Sequence, residues 1–352
     1  MPSGPARIPR IVEPGAGLDA VVVVDHTIFP LSAGGTRMAH DVTEAEVVRL
    51  AHAMTWKFAV YGLRIAGAKA GIRFVGGDRR AVLVAFLEAI APWKDVFLTG
   101  PDLGTYPEDF LDPASEEPLP LWAQVHEGME MDGLATRHGV VAAAAAALER
   151  PGDRLEGATV AIEGFGKVGA GAAAAFARAG GRIVAVSTVL GTLADPAGLD
   201  ADLLLTLKAK HGDSLVEHGP GRAALREVLL ATPCDVLVLG ARPDAISRAL
   251  APSLRCRVVA PAANIPYAEG ACAALHARGI VAVPDFVANA GGVFLYESAE
   301  RGESPAECLA SVASAVSEGT RRVLDAADAD GVPPMDAALR LAGEFLAART
   351  AV

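Results

Sequence analysis

The chain has 352 residues, enough for two domains at the usual scale of about 100–200 residues each. Its 52% hydrophobic and 21% charged residues are those of an ordinary globular protein, and a formal net charge of −11 repels phosphate backbones, which argues against nucleic acid as a partner. No Lys/Arg-rich run, no apolar run long enough to span a bilayer and no apolar core of a secretory signal is present. The four cysteines (Cys234, Cys256, Cys272, Cys308) form no Cys-x-x-Cys pair. A cytoplasmic chain without disulfide framework, membrane or metal is expected.

Along the chain, the β-branched run at 20–24, ending at Asp25-His26, predicts a first strand. Apolar residues at helical spacing predict a helix from Glu44 to about Tyr61, with Thr43 as N-cap. A Gly-rich segment at 62–71 reads as the loop that ends it. A second helix is predicted over 79–92 and a strand over 96–99. Residues 101–120 carry five prolines and read as a loop closing the first domain.

From Ala158 the pattern changes to short apolar strands alternating with helices. Strands are predicted at 159–163, 182–187, 235–239, 257–260 and 280–283, with helices after Gly166, Leu199, Pro243 and Tyr267. That alternation specifies a parallel sheet with helices on both faces. After Gly302 the chain reads as helical to its end, broken at Pro333-Pro334.

Gly164-Phe165-Gly166-Lys167-Val168-Gly169 follows the strand at 159–163 and opens an alanine-rich helix. The first glycine permits the turn, the second lets backbone approach a pyrophosphate, and the third lets helix pack on strand. The helix N-terminus adds free N–H groups and positive potential for the phosphates. The next strand ends Ser187-Thr188, without the carboxylate that usually takes the ribose 2′-OH of NAD. No Arg or Lys occurs between Ser187 and Leu207 to take a 2′-phosphate. NAD is the expected cofactor, with NADP left open.

Three segments of the first domain stand out together: Gly34-Gly35-Thr36-Arg37, Met54-Thr55-Trp56-Lys57, and Gly67-Ala68-Lys69-Ala70-Gly71, the last read as a loop. Small residues around Lys69 allow close backbone approach, and burial or a neighbouring cation lowers a lysine pKa toward the range of a general base. Arg37 puts a cation on the Gly34-Gly35 turn, with pairing to an acidic neighbour as the purely structural alternative. His26, His126 and His138 lack metal-ligand spacing and read as structural.

These segments resemble the glutamate/leucine/phenylalanine/valine dehydrogenase family. The likeness continues in order through Gly100-Pro101-Asp102-Leu103-Gly104-Thr105, Ala135-Thr136-Arg137-His138-Gly139-Val140, the glycine fingerprint, Ala262-Ala263-Asn264 and Pro284-Asp285-Phe286-Val287-Ala288-Asn289-Ala290-Gly291-Gly292-Val293. The compact N-terminal region is most similar to the leucine dehydrogenase branch. The resemblance implies an α/β fold of two domains separated by a cleft. Residues 1–132, with the helices of 303–352 packing back, form a substrate-binding and oligomerisation domain, and 133–302 a Rossmann-type dinucleotide-binding domain. Closure of the two excludes water.

By that resemblance Lys57 holds the substrate α-carboxylate, Lys69 activates the attacking water, and Asp102 exchanges protons with the substrate nitrogen. Gly34-Gly35 shapes the pocket, Thr136 positions the nicotinamide amide, and Asn264 and Asn289 contact cofactor and substrate. Asp102 as a turn former and Asn289 as a helix cap are the purely structural alternatives. Glutamate-specific members carry a lysine where this chain has Ala33, and a serine where it has Tyr296. A side-chain carboxylate entering without a partner meets a heavy desolvation cost, so an apolar amino acid is expected. Leucine, valine, phenylalanine and tryptophan stay open.

The chain departs from the family pattern at Phe58, Ala66, Thr188 and Leu239-Gly240-Ala241-Arg242. A reversible NAD(P)-dependent oxidative deaminase forming 2-oxo acid and ammonia, working as a homo-oligomer, is the leading reading. The alternative is a noncatalytic or regulatory NAD(P)-binding protein that keeps the fold. A hydroxy-acid oxidoreductase would want a catalytic histidine, and none stands out.

Overall fold

A computed structural model describes residues 6–111, 119–150 and 152–350. The chain divides into two compact units, residues 1–119 with 339–352, and residues 120–338. Among the described residues no helix is long and apolar enough to cross a membrane.

The first unit contains β1 (Arg10–Glu13), β2 (Leu18–Val24), β3 (Ser32–Ala33), β4 (Thr36–Ala39), α1 (Glu44–Val60), β5 (Ala66–Arg73), α2 (Arg79–Ile90) and β6 (Phe97–Leu98). The sheet runs β1-β2-β5-β3-β6, and β4 also pairs with β5. Thus the central strand is β5, antiparallel to β2 and parallel to both β3 and β4. The run at 20–24 is therefore the second strand, since the polar edge strand β1 precedes it.

The segment at 62–71, read as a loop, becomes a buried strand from Ala66 onward. Its glycines are there for packing. A Cβ on Gly67 would come within 2.3 Å of Thr55 N and Ala51 O, and one on Gly71 within 2.5 Å of Val47 Cγ2. Only glycine lets α1 lie this close to the strand. One face of the sheet packs Leu18, Ala20, Val22, Ala68, Ala70 and Ile72 against Val82, Leu83, Phe86 and Ile90 of α2. The other packs Val21 and Val23 against Val47 and Ala51 of α1. Because strand side chains alternate, Lys69 emerges on the α1 face.

Helix α1 starts as expected, with Thr43 Oγ1 accepting from Glu46 N at 3.2 Å. Asp25 fastens α1 to β2: Thr55 Oγ1 donates to its Oδ2 at 2.6 Å, and His52 Nδ1 lies 3.1 Å from the same oxygen. The 79–92 helix ends at Ile90 and continues as a 3₁₀ turn, Ala91–Trp93.

The second unit contains β7 (Val125–His126), β8 (Met129–Glu130), α3 (Met131–Glu149), β9 (Thr159–Glu163), α4 (Lys167–Arg178), β10 (Arg182–Thr188), β11 (Gly191–Ala194), α5 (Ala201–His211), β12 (Arg222–Ala224), β13 (Val236–Leu239), β14 (Val258–Pro261), α6 (Ala271–His276), β15 (Val281–Ala282), α7 (Asp285–Ala288), α8 (Leu295–Glu300), α9 (Pro305–Asp330) and the first residues, 334–338, of α10 (Pro334–Thr350), whose remainder belongs to the first unit. The sheet order is β12-β11-β10-β9-β13-β14-β15. Strands β10, β9, β13, β14 and β15 are parallel, whereas β11 and β12 are antiparallel additions at one edge. The purely parallel expectation is corrected there. The chain order reverses between β9 and β13, which makes that edge the topological switch point.

Three further expectations change. No helix follows Pro243. Residues 242–250 form turns, with Asp244 at φ +51° and Asp244 N donating to Ile265 O at 2.8 Å. The expected boundary at 132/133 and the return of all of 303–352 to the first domain also differ from the observed division. Helix α9 instead packs along α3, whose alanines allow close approach, so only 339–352 join the first unit.

Candidate active site

In the first unit, Gly34-Gly35 interrupts the strand that runs beside β5, separating β3 from β4 opposite Ala68-Lys69. A Cβ on Gly34 would fall 1.7 Å from Ala68 O, and one on Gly35 would fall 3.0 Å from Asp102 Cβ and 3.4 Å from Lys69 Nζ. The two glycines therefore make the room in which Lys69 meets Asp102. Lys69 is 5% exposed, and its Nζ lies 3.0 Å from Asp102 Oδ2.

Arg37 on β4 reaches the same oxygen, Nε to Oδ2 at 3.1 Å, and also pairs with Glu46 in the first turn of α1. Burial by itself would raise the Asp102 carboxyl. The charges of Lys69 and Arg37, with the hydrogen bonds they donate, outweigh it and hold Asp102 below the usual carboxylate range. The loop is fixed by Thr105 Oγ1, which accepts from Asp102 N at 2.9 Å and donates to Thr36 O at 2.7 Å. The Asp102 side chain is thus engaged with cations instead of capping its own turn.

Lys57 is buried in the last turn of α1. It follows Glu46 by eleven residues, so helical geometry places it within about 20° of the same azimuth, about 16 Å further along the axis. Lys57 hence shares the flank of α1 that meets Arg37, while His52 and Thr55 occupy the flank that meets Asp25. Ala33 is the last residue of β3, paired with Gly67 and Leu98.

In the second unit, β9 leads into the glycine turn at the switch point. Gly164 has φ +85°, and a Cβ there would fall 2.5 Å from Ala241 Cβ. A Cβ on Gly169 would fall 1.8 Å from Gly164 O, so the third glycine is what seats α4 on the turn. Phe165 is buried and anchors the loop, Lys167 begins α4, and Val168 is 37% exposed. Gly166 behaves oppositely to its partners: a Cβ on it would meet nothing within 4 Å, and as N-cap it leaves the first turn of α4 without a side-chain cap. Open space beside uncapped N–H groups fits a pyrophosphate.

Thr188 ends β10, buried, with its hydroxyl donating to Asp213 O at 2.8 Å and accepting from Leu190 N at 3.2 Å. Asn289 Nδ2 donates to Asn264 Oδ1 at 2.9 Å, so these two predicted residues meet beyond the end of β14. Gly291 and Gly292 pack on α3 with no room for side chains, 1.8 Å from Ala135 O and 2.8 Å from Asp132 Oδ1 respectively for an added Cβ, which sets Thr136 beside Gly292. Tyr296, on α8, is 48% exposed and has no partner drawn from the other predicted residues among those described.

Sequence reasoning missed Glu46, Glu163 and Asp285. Asp285 Oδ2 accepts from Ile265 N at 2.8 Å and holds Ile265 at φ +53°, next to Asn264. Its place in the Pro-Asp segment was the available signal. Glu46 had none, because its partner Arg37 sits on a different element.

A sequence profile described as Glutamate/Leucine/Phenylalanine/Valine dehydrogenase matches residues 128–348, and one described as Glu/Leu/Phe/Val dehydrogenase, dimerisation domain, matches residues 16–110. The chain belongs to the glutamate/leucine/phenylalanine/valine dehydrogenase family. A glutamate dehydrogenase of Aeropyrum pernix is 32% identical over 279 residues, 74% of this chain and 66% of that protein. The chain thus matches about two thirds of the length of that relative. Among solved structures, the hetero-hexameric glutamate dehydrogenase of Thermus thermophilus in a Leu-bound form superposes with TM-score 0.83 at 26% identity, covering 98% of this chain and 89% of that one. The L-tryptophan dehydrogenase of Nostoc punctiforme shares the fold, with TM-score 0.71 at 21% identity, covering 99% and 97%. These likenesses do not single out the leucine dehydrogenase branch of the family.

Proposed function

We propose that this chain catalyses the reversible NAD(P)-dependent oxidative deamination of an apolar L-amino acid to its 2-oxo acid and ammonia. The observation that carries the reading is the buried contact between Lys69 Nζ and Asp102 Oδ2, 3.0 Å apart and walled by Gly35. A nicotinamide cofactor held by the glycine turn at 164–169 would supply the hydride acceptor for the substrate α-carbon.

Lys57 holds the substrate α-carboxylate as a point charge. Lys69, once its ammonium proton has passed through Asp102 to the substrate nitrogen, orients a water against the imino carbon and takes a proton from it as the carbon–oxygen bond forms. Asp102 passes protons to and from the substrate nitrogen, which leaves as ammonia. The 3.0 Å contact lets one proton pass between Lys69 and Asp102, so the pair serves both halves of the hydrolysis. Thr136, Asn264 and Asn289 hold cofactor and substrate, and residues 164–169 hold the pyrophosphate.

The preference for an apolar side chain rests on Ala33 and Tyr296, together with the engagement of Lys69 and Arg37 by Asp102 and Glu46. A second substrate carboxylate would have to compete with Asp102 for those cations. The relatives named as glutamate dehydrogenases support the opposite preference, so the substrate panel is decisive. Absorbance at the nicotinamide band is followed with leucine, valine, phenylalanine, tryptophan and glutamate. An apolar amino acid with the highest kcat/KM supports the reading, and glutamate at the top overturns its specificity half. Absence of turnover with every amino acid favours a noncatalytic NAD(P)-binding protein.

The dimerisation-domain match and the hetero-hexameric neighbour support an oligomer, which we read as one built from copies of this chain. Four free cysteines, three of them buried, suit the reducing cytoplasm as its place of action.

A further inference from the structure

At the switch point the fold gathers cations that are remote from Thr188 in sequence. Arg226 opens the 3₁₀ segment Arg226–Ala231 after β12, and Arg242 follows β13. Both guanidinium groups converge on Glu163, the residue before Gly164. Arg226 Nη2 lies 3.6 Å and Arg242 Nε 4.0 Å from Glu163 Oε1, while Oε2 accepts from Ala241 N at 3.1 Å. The Glu163 side chain is 7% exposed, and those of Arg226 and Arg242 are 32% and 55% exposed.

These separations are ion-pair distances, beyond ordinary hydrogen-bond length. Among the described residues neither guanidinium donates a hydrogen bond. A single well-aligned arginine would suffice to neutralise Glu163. Two arginines around one carboxylate leave a net positive charge and two sets of uncommitted donors, beside a helix N-terminus that itself favours anions. Ser187 Oγ accepts from Gly164 N at 3.2 Å, which puts this cluster one strand from Thr188 at the same carboxyl edge. Thr188 carries no charge to repel a phosphate, and its hydroxyl is taken up by Asp213 O and Leu190 N.

We propose that Arg226 and Arg242, gathered by Glu163, recognise the 2′-phosphate of the cofactor, so that this chain prefers NADP(H) to NAD(H). The proposal rests on the dinucleotide reading of the glycine turn and reverses the preference for NAD drawn from the sequence. It also gives a role to the departure at Leu239-Gly240-Ala241-Arg242.

The test is calorimetric titration of the full chain with adenosine 2′,5′-bisphosphate and with adenosine 5′-monophosphate, which differ only in the 2′-phosphate. The first is expected to bind about tenfold or more tightly. Arg226→Ala and Arg242→Ala should each close most of that gap while leaving 5′-monophosphate affinity unchanged. Arg242, the more exposed, carries the test if Arg226→Ala fails to fold. Equal affinities in the wild type, or variants that weaken both nucleotides alike, overturn the proposal and leave the dinucleotide reading standing. Binding of neither nucleotide overturns both.

Discussion

The ammonium of Lys69 and the carboxylate of Asp102 meet at 3.0 Å although the two residues sit on different elements, one on the central strand and one in the loop after an edge strand. Their meeting depends on the Gly34-Gly35 break between β3 and β4. If this pair conducts the proton transfers, Lys69→Ala and Asp102→Asn should each lower kcat by about 10²–10⁴-fold. Both variants should keep wild-type affinity for adenine nucleotides, whose proposed contacts lie in the other unit. Loss of nucleotide binding in either variant would point to a damaged fold in place of a missing proton carrier.

The two glycines should respond differently to an added methyl group. In Gly35→Ala the new Cβ falls 2.8 Å from Pro101 O and 3.0 Å from Asp102 Cβ, distances a loop can relieve by moving. That movement displaces Asp102 from Lys69, and kcat should fall by about 10²-fold with little change in melting temperature. In Gly34→Ala the Cβ falls 1.7 Å from the carbonyl oxygen of Ala68, inside the central strand. The backbone there cannot yield locally, so a loss above about 3 kcal/mol is expected in denaturant titration.

Acid should weaken the first unit through Asp25. Burial alone would raise its carboxyl, but hydrogen bonds from His52 and Thr55, and the charges of His52 and His26, hold it below its ordinary value of 3.8. A carboxyl whose folded value is the lower one stabilises the fold fully above the unfolded value, and that contribution fades as pH falls through the folded value. Melting temperature should therefore decline between about pH 5 and pH 3. Asp25→Asn should cost about 2–4 kcal/mol at pH 7 and flatten that decline. An unaltered acid slope in the variant would mean that other carboxylates set it.

The parts of this molecule that were legible in the sequence are those where local pattern and tertiary role coincide. The turn at 164–169 is one: a β-branched strand, glycines at fixed offsets and an alanine-rich helix all express the same geometry. Lys69 is the counterexample. Gly67-Ala68-Lys69-Ala70-Gly71 lacks the β-branched residues of a typical strand because α1 lies so close to it, and small residues there read as a loop. The helix expected after Pro243 is lost because Asp244 takes a positive φ to donate to Ile265 O. Charge clusters were the least legible. Arg37 meets Glu46 only because α1 folds back over β4, and Glu163 meets Arg226 only through the sheet order, neither of which local spacing encodes.

Asp285 offers a test of whether Asn264, oriented against Asn289, serves the cofactor. Its Oδ2 accepts from Ile265 N and fixes that residue at φ +53°, a conformation that costs a side-chain-bearing residue about 1–2 kcal/mol. The strained residue sits between Asn264 and Pro266, so releasing it should let Asn264 Oδ1 drift from Asn289 Nδ2, now 2.9 Å away. Asp285→Ala should then raise the dissociation constant of the dinucleotide about tenfold, with a smaller fall in kcat at saturating cofactor. Ile265→Gly removes the strain without removing the carboxylate and should leave affinity intact or improve it. Should Asp285→Ala instead lower kcat at unchanged cofactor affinity, Asn264 would be acting on the amino acid along with Asn289, and its assignment to the dinucleotide would fall.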